Sequence, residues 1–498
     1  LVAETRRRCL RAYANQDLPF ELLVDHLQPE RSLMHSPLFQ VMFVMQNAPL
    51  EHLVFDGTET RLLEPPVTVS KFDLTLYVEP SGDGFVTHWE YNADIFDESR
   101  IERMAGHYEQ LLRNALTDRH DSLARIDLLT EQEHRDIACW RDGPKTDLAS
   151  TTLVHAIEER AARHPNAPAL VDRKESLDYG EVNESANQLA HYLNWRGIGR
   201  GDIVALCLEP GPEAVVSLLG IVKAGAAYLP LDPAYPAERL AAMLSGSKAR
   251  LVLSKGDLVD RLPSGAEICR LDAIAATLAE ESVVNPATRP APDDLLYVIY
   301  TSGSTGAPKG AGVFHKGFAN LLQWYCAALG LGPDDRGLLV SALGFDLTQK
   351  NLFAPLISGA ALHFPEPGVG YDPAALRRAI AEDAITWINC TPSAFYPLLA
   401  GDEYTPLSSL RHIILGGEPI QTDRLRDWLA APTCKATVFN SYGPTECTDV
   451  AVAGPLDPTS DAAGVPLGRP IDNVRVVLLD PDGTPVPIGQ PGELFIGG

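Results

Sequence analysis

Residues 300–310 read YTSGSTGAPKG, with three glycines, four Ser or Thr hydroxyls, one proline and one lysine in eleven positions. A loop of this composition offers backbone N–H groups and hydroxyls to an anion. Its glycines let the backbone approach closely, and Lys309 adds a compact positive charge suited to a terminal phosphate. The spacing excludes two common phosphate readers. The loop of nucleotide hydrolases needs G-x-x-x-x-G-K-[ST], whereas here Pro308 precedes the lysine and Ala311 follows Gly310. No dinucleotide-type G-x-G-x-x-G stands at this point either. Three more polar clusters follow: Gly344-Phe345-Asp346, Gly416-Gly417-Glu418-Pro419, and NSYGPTE over 440–446. Alone, Asp346 reads as a cap or turn residue and Glu446 as a surface carboxylate. A partly buried carboxylate is also a sound partner for an ammonium group.

Each cluster follows an apolar run. LLYVIYTS (295–302), GLLVSAL (337–343), HIILGG (412–417) and TVFNSYG (437–443) all read as strands. So do IVALCLE (203–209), AYLPLD (227–232), RLVLS (250–254), TWINCTP (386–392) and VRVVLLD (474–480). EAVVSLLGIVKAG (213–225) and PAERLAAMLSGS (236–247) carry helical spacing between them, and PDGTPVPIG (481–489) reads as the turn of a late hairpin. Alternation of this length predicts an α/β fold with largely parallel sheets flanked by helices. In such sheets ligands bind at the carboxyl ends of strands, where the four clusters are expected.

Residues 1–125 read differently and end in a helix over 97–116, with Asp97 as its cap and Ile101, Met104, Tyr108, Leu111, Leu112 and Ala115 at helical spacing. We therefore divide the 498 residues into a first domain at 1–125, a linker at 126–150 and a second domain at 151–498. Within the linker, TEQEHRDIACW has the makings of a short helix. The formal net charge of −25 argues against a nucleic-acid surface. Eight cysteines are scattered without C-x-x-C pairs or zinc spacing, as expected of free thiols in a cytoplasmic protein. No apolar run approaches the ~18 residues of a membrane span. Neither end reads as a natural terminus, so the sequence is expected to be a piece of a longer chain.

YTSGSTGAPKG closely resembles the signature loop of adenylate-forming enzymes. VKAGAAYLPLDPAYPAERL (222–240), LDYGEVNESANQLAHYL (177–193), NSYGPTE and GELFIGG (492–498) resemble further blocks of the adenylation domains of nonribosomal peptide synthetases, in family order. The resemblance runs from about 151 to the end. It implies the large subdomain of an adenylate-forming enzyme, acting on ATP, Mg²⁺ and a carboxylic acid. Thr301, Ser302, Gly303, Ser304, Thr305, Gly306 and Lys309 would cradle the triphosphate. Gly417, Glu418, Ser441 and Tyr442 would line the adenine site, with Asn440 and Gly443 as further nucleotide contacts. Thr445 would touch the α-phosphate and Glu446 would help hold Mg²⁺, which makes Lys309, Thr301, Thr445 and Glu446 the catalytic set.

The same resemblance implies an amino-acid substrate. In the family an Asp after an aromatic residue binds the α-amino group, and Phe345 and Asp346 stand there. A ligase for a non-amino acid, the alternative reading, would lack this Asp. The remaining pocket would be Leu347, Lys350, Asn389, Ile414, Gly416, Ser441, Asp449 and Val450. Lys350, Asp449 and Asn389 make it polar. A large apolar side chain would leave them unpaired at ~1–3 kcal/mol each, so a polar amino acid, Gln, Glu or a relative, is expected.

NQDLPFELLVDHL (15–27), RSLMHSPLFQVMF (31–43) and KFDLTLYV (71–78) resemble late motifs of condensation domains. They imply the C-terminal half of an acetyltransferase-like fold, although Met34 departs from the usual small polar residue. Such domains use a His in H-H-x-x-x-D-G. EHLVFDG (51–57) imitates it, but Glu51 replaces the first His and the match follows the late motifs instead of preceding them. The catalytic His is expected upstream of Leu1, in the other half of the domain. The family's small C-terminal domain with its lysine, its ribose-binding Asp, and a carrier domain bearing phosphopantetheine would lie beyond Gly498. A nucleotide-binding piece without turnover is the third reading.

Overall fold

The structure, a computed structural model, describes residues 2–29, 36–46, 58, 69–117, 126–148, 152–302, 308–366, 371–401, 403–458 and 464–498. EHLVFDG, residues 31–35 and the loop residues Gly303, Ser304, Thr305 and Gly306 lie outside them. The chain forms two compact units, residues 1–135 with 480–492, and residues 136–479 with 493–498.

In the first unit a three-stranded sheet runs in the order β1 (Val41–Met45), β2 (Leu74–Ser81), β3 (Gly84–Tyr91). β1 pairs with β2 in parallel and β2 with β3 antiparallel. The alternation in FQVMFVMQ is thus a strand, as its period of two requires. The helix Glu98–Thr117 falls one residue from the expected span. Its buried His107 meets Glu133, 2.7 Å away at the start of the helix Glu131–Arg141. Thr130 and Glu133 bond reciprocally there, Glu133 N to Thr130 Oγ1 at 3.2 Å and Thr130 N to Glu133 Oε2 at 3.1 Å. Two otherwise orphaned N–H groups are satisfied in this way.

In the second unit the strands are β4 (Pro168–Val171), β5 (Ser176–Asp178), β6 (Ile203–Cys207), β7 (Ala227–Pro230), β8 (Leu251–Ser254), β9 (Ile268–Arg270), β10 (Leu295–Ser302), β11 (Pro308–Phe314), β12 (Arg336–Leu338), β13 (Ala361–His363), β14 (Trp387–Cys390), β15 (His412–Gly416), β16 (Thr437–Tyr442), β17 (Val452–Pro455), β18 (Arg469–Pro470), β19 (Arg475–Leu479) and β20 (Glu493–Gly497). They build a six-stranded sheet, β11-β10-β7-β6-β8-β9, and a nine-stranded sheet, β18-β17-β16-β15-β14-β12-β13-β4-β5. β19 and β20 form the late hairpin. One buried apolar cluster draws on both large sheets, with Tyr228 and Tyr297 from the first, Trp387 from the second and Phe353 from a helix. No helix among the described residues is long and apolar enough to cross a membrane.

Two details differ from the sequence reading. Residues 308–314 are a strand, antiparallel to β10 with Thr301 opposite Lys309. Proline and two glycines disguise it, yet Ala311 and Val313 alternate inward as a strand must. The segment that follows the glycine-rich stretch is therefore a strand and not the start of a helix. GLLVSAL contributes only Gly337 and Leu338 to its sheet, within the strand Arg336–Leu338.

Candidate active site

Four neighbouring parallel strands, β12, β14, β15 and β16, bring their carboxyl ends together in the nine-stranded sheet. Asn389 pairs with Ile414, and Gly416 pairs with Ser441. With side chains alternating, Asn389, Ile414, Gly416 and Ser441 share one face. A Cβ on Gly416 would stand 2.6 Å from Ser441 Oγ and 3.6 Å from Leu347 Cδ1. Only glycine lets these three meet.

Asp346 opens the helix Asp346–Ser358, beyond the end of β12. Its Oδ1 accepts from Leu347 N at 2.7 Å, and its Oδ2 accepts from the hydroxyl of Thr445. Phe345, just before it, is 56% exposed. The loop before Asp346 is anchored from the helix's first turns. Thr348 Oγ1 donates to Ala342 O at 2.7 Å, and Gln349 Nε2 donates to Leu343 O at 2.7 Å and Phe345 O at 2.9 Å. Gln349 Oε1 in turn accepts from Tyr228 OH on β7 at 2.8 Å. Buried polar groups satisfied on both sides fix a loop in one geometry.

One turn on, buried Lys350 forms an ion pair with buried Asp449 and donates to Leu347 O at 3.3 Å. Burial pushes the Asp449 carboxyl up to about 6, against the opposing pull of Lys350 and with a further push from Asp346. Thr448 and Asp449 both take left-handed backbone, φ 66° and 67°, a conformation that non-glycine residues rarely adopt. Gly443 makes room for this turn. A Cβ there would overlap Asp449 O and stand 2.7 Å from Ala451 N. Val450, the next residue, is buried. Asn389 donates to Asn351 Oδ1 at 2.9 Å and to Leu347 O at 3.3 Å, while its own buried Oδ1 finds no partner among the described residues. Thus Asp346, Leu347, Lys350, Asn389, Ile414, Gly416, Ser441 and Asp449 are brought together, while Val450 lines a neighbouring cavity with Lys316, Gly317 and Asn320. The polar pair Lys350–Asp449 is already satisfied, which the sequence reading did not foresee.

The residues expected to hold the nucleotide are more dispersed. Thr301 and exposed Lys309 face each other across the β10–β11 hairpin, with Ser302 at the end of β10. Gly417 takes φ 81° after β15. Exposed Glu418 accepts from Ser393 N at 2.9 Å and Ser393 Oγ at 2.7 Å, so its carboxylate is engaged with the residues that follow β14. Asn440 lies on the face opposite Ser441, and its Nδ2 donates to Pro466 O at 3.0 Å; the structure does not bring its side chain to the others. Tyr442 is exposed beside Gly443. Thr445 is buried on a short turn and Glu446, next to it, is exposed. No three His, Cys, Asp or Glu side chains gather into a ready-made metal site among the described residues. A single exposed carboxylate fits Mg²⁺, which keeps waters and takes one or two carboxylates together with substrate phosphates.

Sequence reasoning missed Thr348, Gln349, Asn351, Tyr228 and Ser393, which hold the predicted residues in place. One signal was legible: TQKN (348–351) is a polar run inside a helix that is buried on all sides. Buried polar residues must find partners.

The site and the sheets around it define an AMP-binding enzyme. The chain belongs to that family, whose model matches residues 157–498, and a condensation-domain model matches residues 1–138. Within the family it is of the nonribosomal peptide synthetase kind. It is 40% identical over 507 residues to a linear gramicidin synthase of Brevibacillus parabrevis, covering 100% of this chain and 10% of that protein. Among solved structures it resembles the nonribosomal peptide synthetase FmoA3 in its AMPPNP-bound form, with TM-score 0.79 and 26% identity over 92% of this chain and 49% of that one. It also resembles the four-domain synthetase AB3403 bound to AMP and glycine, with TM-score 0.84 and 25% identity over 100% of this chain and 38% of that one. The chain spans between 6% and 10% of the length of three linear gramicidin synthase subunits it matches.

Proposed function

We propose that the chain adenylates an amino acid for nonribosomal peptide synthesis. One observation carries the reading: the carboxylate of Asp346, which would take an α-ammonium, accepts a hydrogen bond from Thr445, which would take an α-phosphate. The AMPPNP-bound and the AMP- and glycine-bound relatives support ATP and an amino acid as the two substrates.

In the proposed reaction, Asp346 holds the ammonium so that the substrate carboxylate faces the nucleotide. A carboxylate oxygen forms a bond to the α-phosphorus. The bond from that phosphorus to the bridging oxygen breaks, and pyrophosphate leaves with the electron pair. The hydroxyl of Thr445 steadies the α-phosphate oxygens. Lys309, with Thr301, Ser302 and the residues between them, holds the β- and γ-phosphates. Glu446 would hold Mg²⁺, which would supply positive charge against the charge that builds on the leaving group. Gly417, Glu418, Ser441, Tyr442 and Gly443 border the adenine. Catalysis is positioning and charge stabilisation; no residue forms a covalent intermediate.

The side chain of the amino acid is polar, supported by Ser441 and Asp449 in the pocket. Carrier domains bearing phosphopantetheine would receive the aminoacyl group, and residues 1–138 would complete a condensation domain with an upstream half. The eight unpaired cysteines support a cytoplasmic setting. Asp346 speaks against a non-amino acid substrate, because its carboxylate would then face a neutral acyl chain with no cation to balance its charge.

ATP–pyrophosphate exchange with each of the twenty amino acids, beside a Lys309→Ala control, tests the reading. Exchange with one polar amino acid, lost in the control, supports it. A folded chain that binds neither ATP nor an aminoacyl-adenylate analogue overturns it.

A further inference from the structure

On the adenylation reading, the depth of the acyl pocket would be set by a contact that joins two distant segments. Lys350 and Asn389 are both 0% exposed. The Lys350 ammonium is closed in by Asp449, by Leu347 O and by the Tyr325 ring 5.8 Å away. A substrate side chain entering past Asp346 therefore meets the ion pair as a floor. Asp449 and Ser441 keep slight access, at 7% and 5%. We propose that this chain selects an amino acid with a short, uncharged side chain that donates a hydrogen bond, because the buried Lys350–Asp449 pair closes the pocket and presents acceptors at its surface. The proposal rests on the adenylation reading and narrows it.

Three observations carry it. The first is size. Gly416 opens no extra room, since Ser441 Oγ already occupies the space beside it. A long side chain would have to displace the pair, and a buried ion pair tolerates no lost partner. The second is charge. Asp346 and Asp449 bring two negative charges and Lys350 one positive, and the substrate α-ammonium balances the remainder. A cationic side chain would face the buried ammonium, and an anionic one the two carboxylates, in a medium that screens neither well. The third is hydrogen bonding. Ser441 Oγ donates its proton to Leu415 O at 3.2 Å, so it offers lone pairs to the pocket, and an ionised carboxylate only accepts. Both polar groups want a donor, which an unbranched or β-branched hydroxyl supplies. The sequence expectation of Gln or Glu assumed that Lys350 and Asp449 would face the substrate separately. They face each other instead.

The test is calorimetric titration of the chain with non-hydrolysable aminoacyl sulfamoyladenosines bearing Gly, Ala, Ser, Thr, Gln, Glu, Lys, Leu and Phe side chains. The Ser or Thr analogue should bind tightest, with the Gln, Glu, Lys, Leu and Phe analogues weaker by about a hundredfold or more. The double variant Lys350→Met, Asp449→Leu should gain about tenfold or more for the Leu analogue relative to Ser. Tightest binding of a charged or long side chain by the wild type overturns the proposal and leaves adenylation standing. Preference for Gly or Ala over Ser overturns the donor requirement. Failure of every analogue to bind a folded chain overturns both readings.

Discussion

The Thr445 hydroxyl donates to Asp346 Oδ2, across 99 residues of chain. The bond joins the two sides of the proposed reaction, because an arriving ammonium competes with Thr445 for the same carboxylate. Removing the carboxylate should therefore separate the substrates. Asp346→Ala should weaken amino-acid-dependent exchange by about 3 kcal/mol, roughly a hundredfold, while binding of an ATP analogue stays near the wild-type value. Thr445→Ser should keep exchange and Thr445→Val should lower kcat. Undiminished exchange in Asp346→Ala, with unchanged amino-acid preference, would refute the assignment.

The Asp449 carboxyl, raised to about 6 from an ordinary 3.8, makes a signed prediction. Between these values the native chain holds a proton that the unfolded chain has released. The contribution of this group to stability is thus full below about 3.8 and is lost as pH rises through about 6. Urea unfolding of the wild type and of Lys350→Met, Asp449→Leu across this range isolates the effect. The stability of the wild type relative to the double variant should fall from pH 4 to pH 6.5. A difference that stays flat would show that Asp449 titrates normally.

The parallel α/β organisation and the four strand-end clusters were legible because apolar runs and Gly-rich turns are local signals. Asp346, Ser441 and Thr445 stood out for the same reason. What the sequence hid was pairing. Lys350 and Asp449 read as two polar walls, since nothing local marks residues 99 apart as partners. Glu418 read as a nucleotide contact, and only the fold shows it engaged with Ser393. The strand 308–314 was missed because Pro308, Gly310 and Gly312 are breakers on any propensity scale. Its place at a sheet edge, paired on one side with β10, is where such residues are tolerated.

Lys309 lies on that edge strand, exposed, with Thr301 as its cross-strand neighbour. A surface lysine contributes little to folding, so Lys309→Ala should change the unfolding free energy by less than ~0.5 kcal/mol. Its effect on ATP should be much larger, since it supplies the positive charge of a phosphate loop. Exchange should become undetectable while the melting temperature stays within a few degrees, about what half a kcal/mol produces. A matching collapse of stability and activity would reassign Lys309 to a structural role.

Gly443 makes the opposite prediction. It borders the adenine in the proposed reaction with backbone alone, and Asp449 O and Ala451 N occupy the space a Cβ would need. Gly443→Ala must push residues 449–451 away, and with them the Asp449 carboxylate from Lys350. Overpacking of this kind typically costs ~1–3 kcal/mol. The loss should appear first in amino-acid selection, because the floor of the pocket moves before the fold gives way. Exchange kinetics should show a raised KM for the amino acid and a blurred preference between short and long side chains, with the KM for ATP less affected. Equal damage to both KM values would mean that the turn 443–449 positions the nucleotide as directly as it positions the acyl pocket.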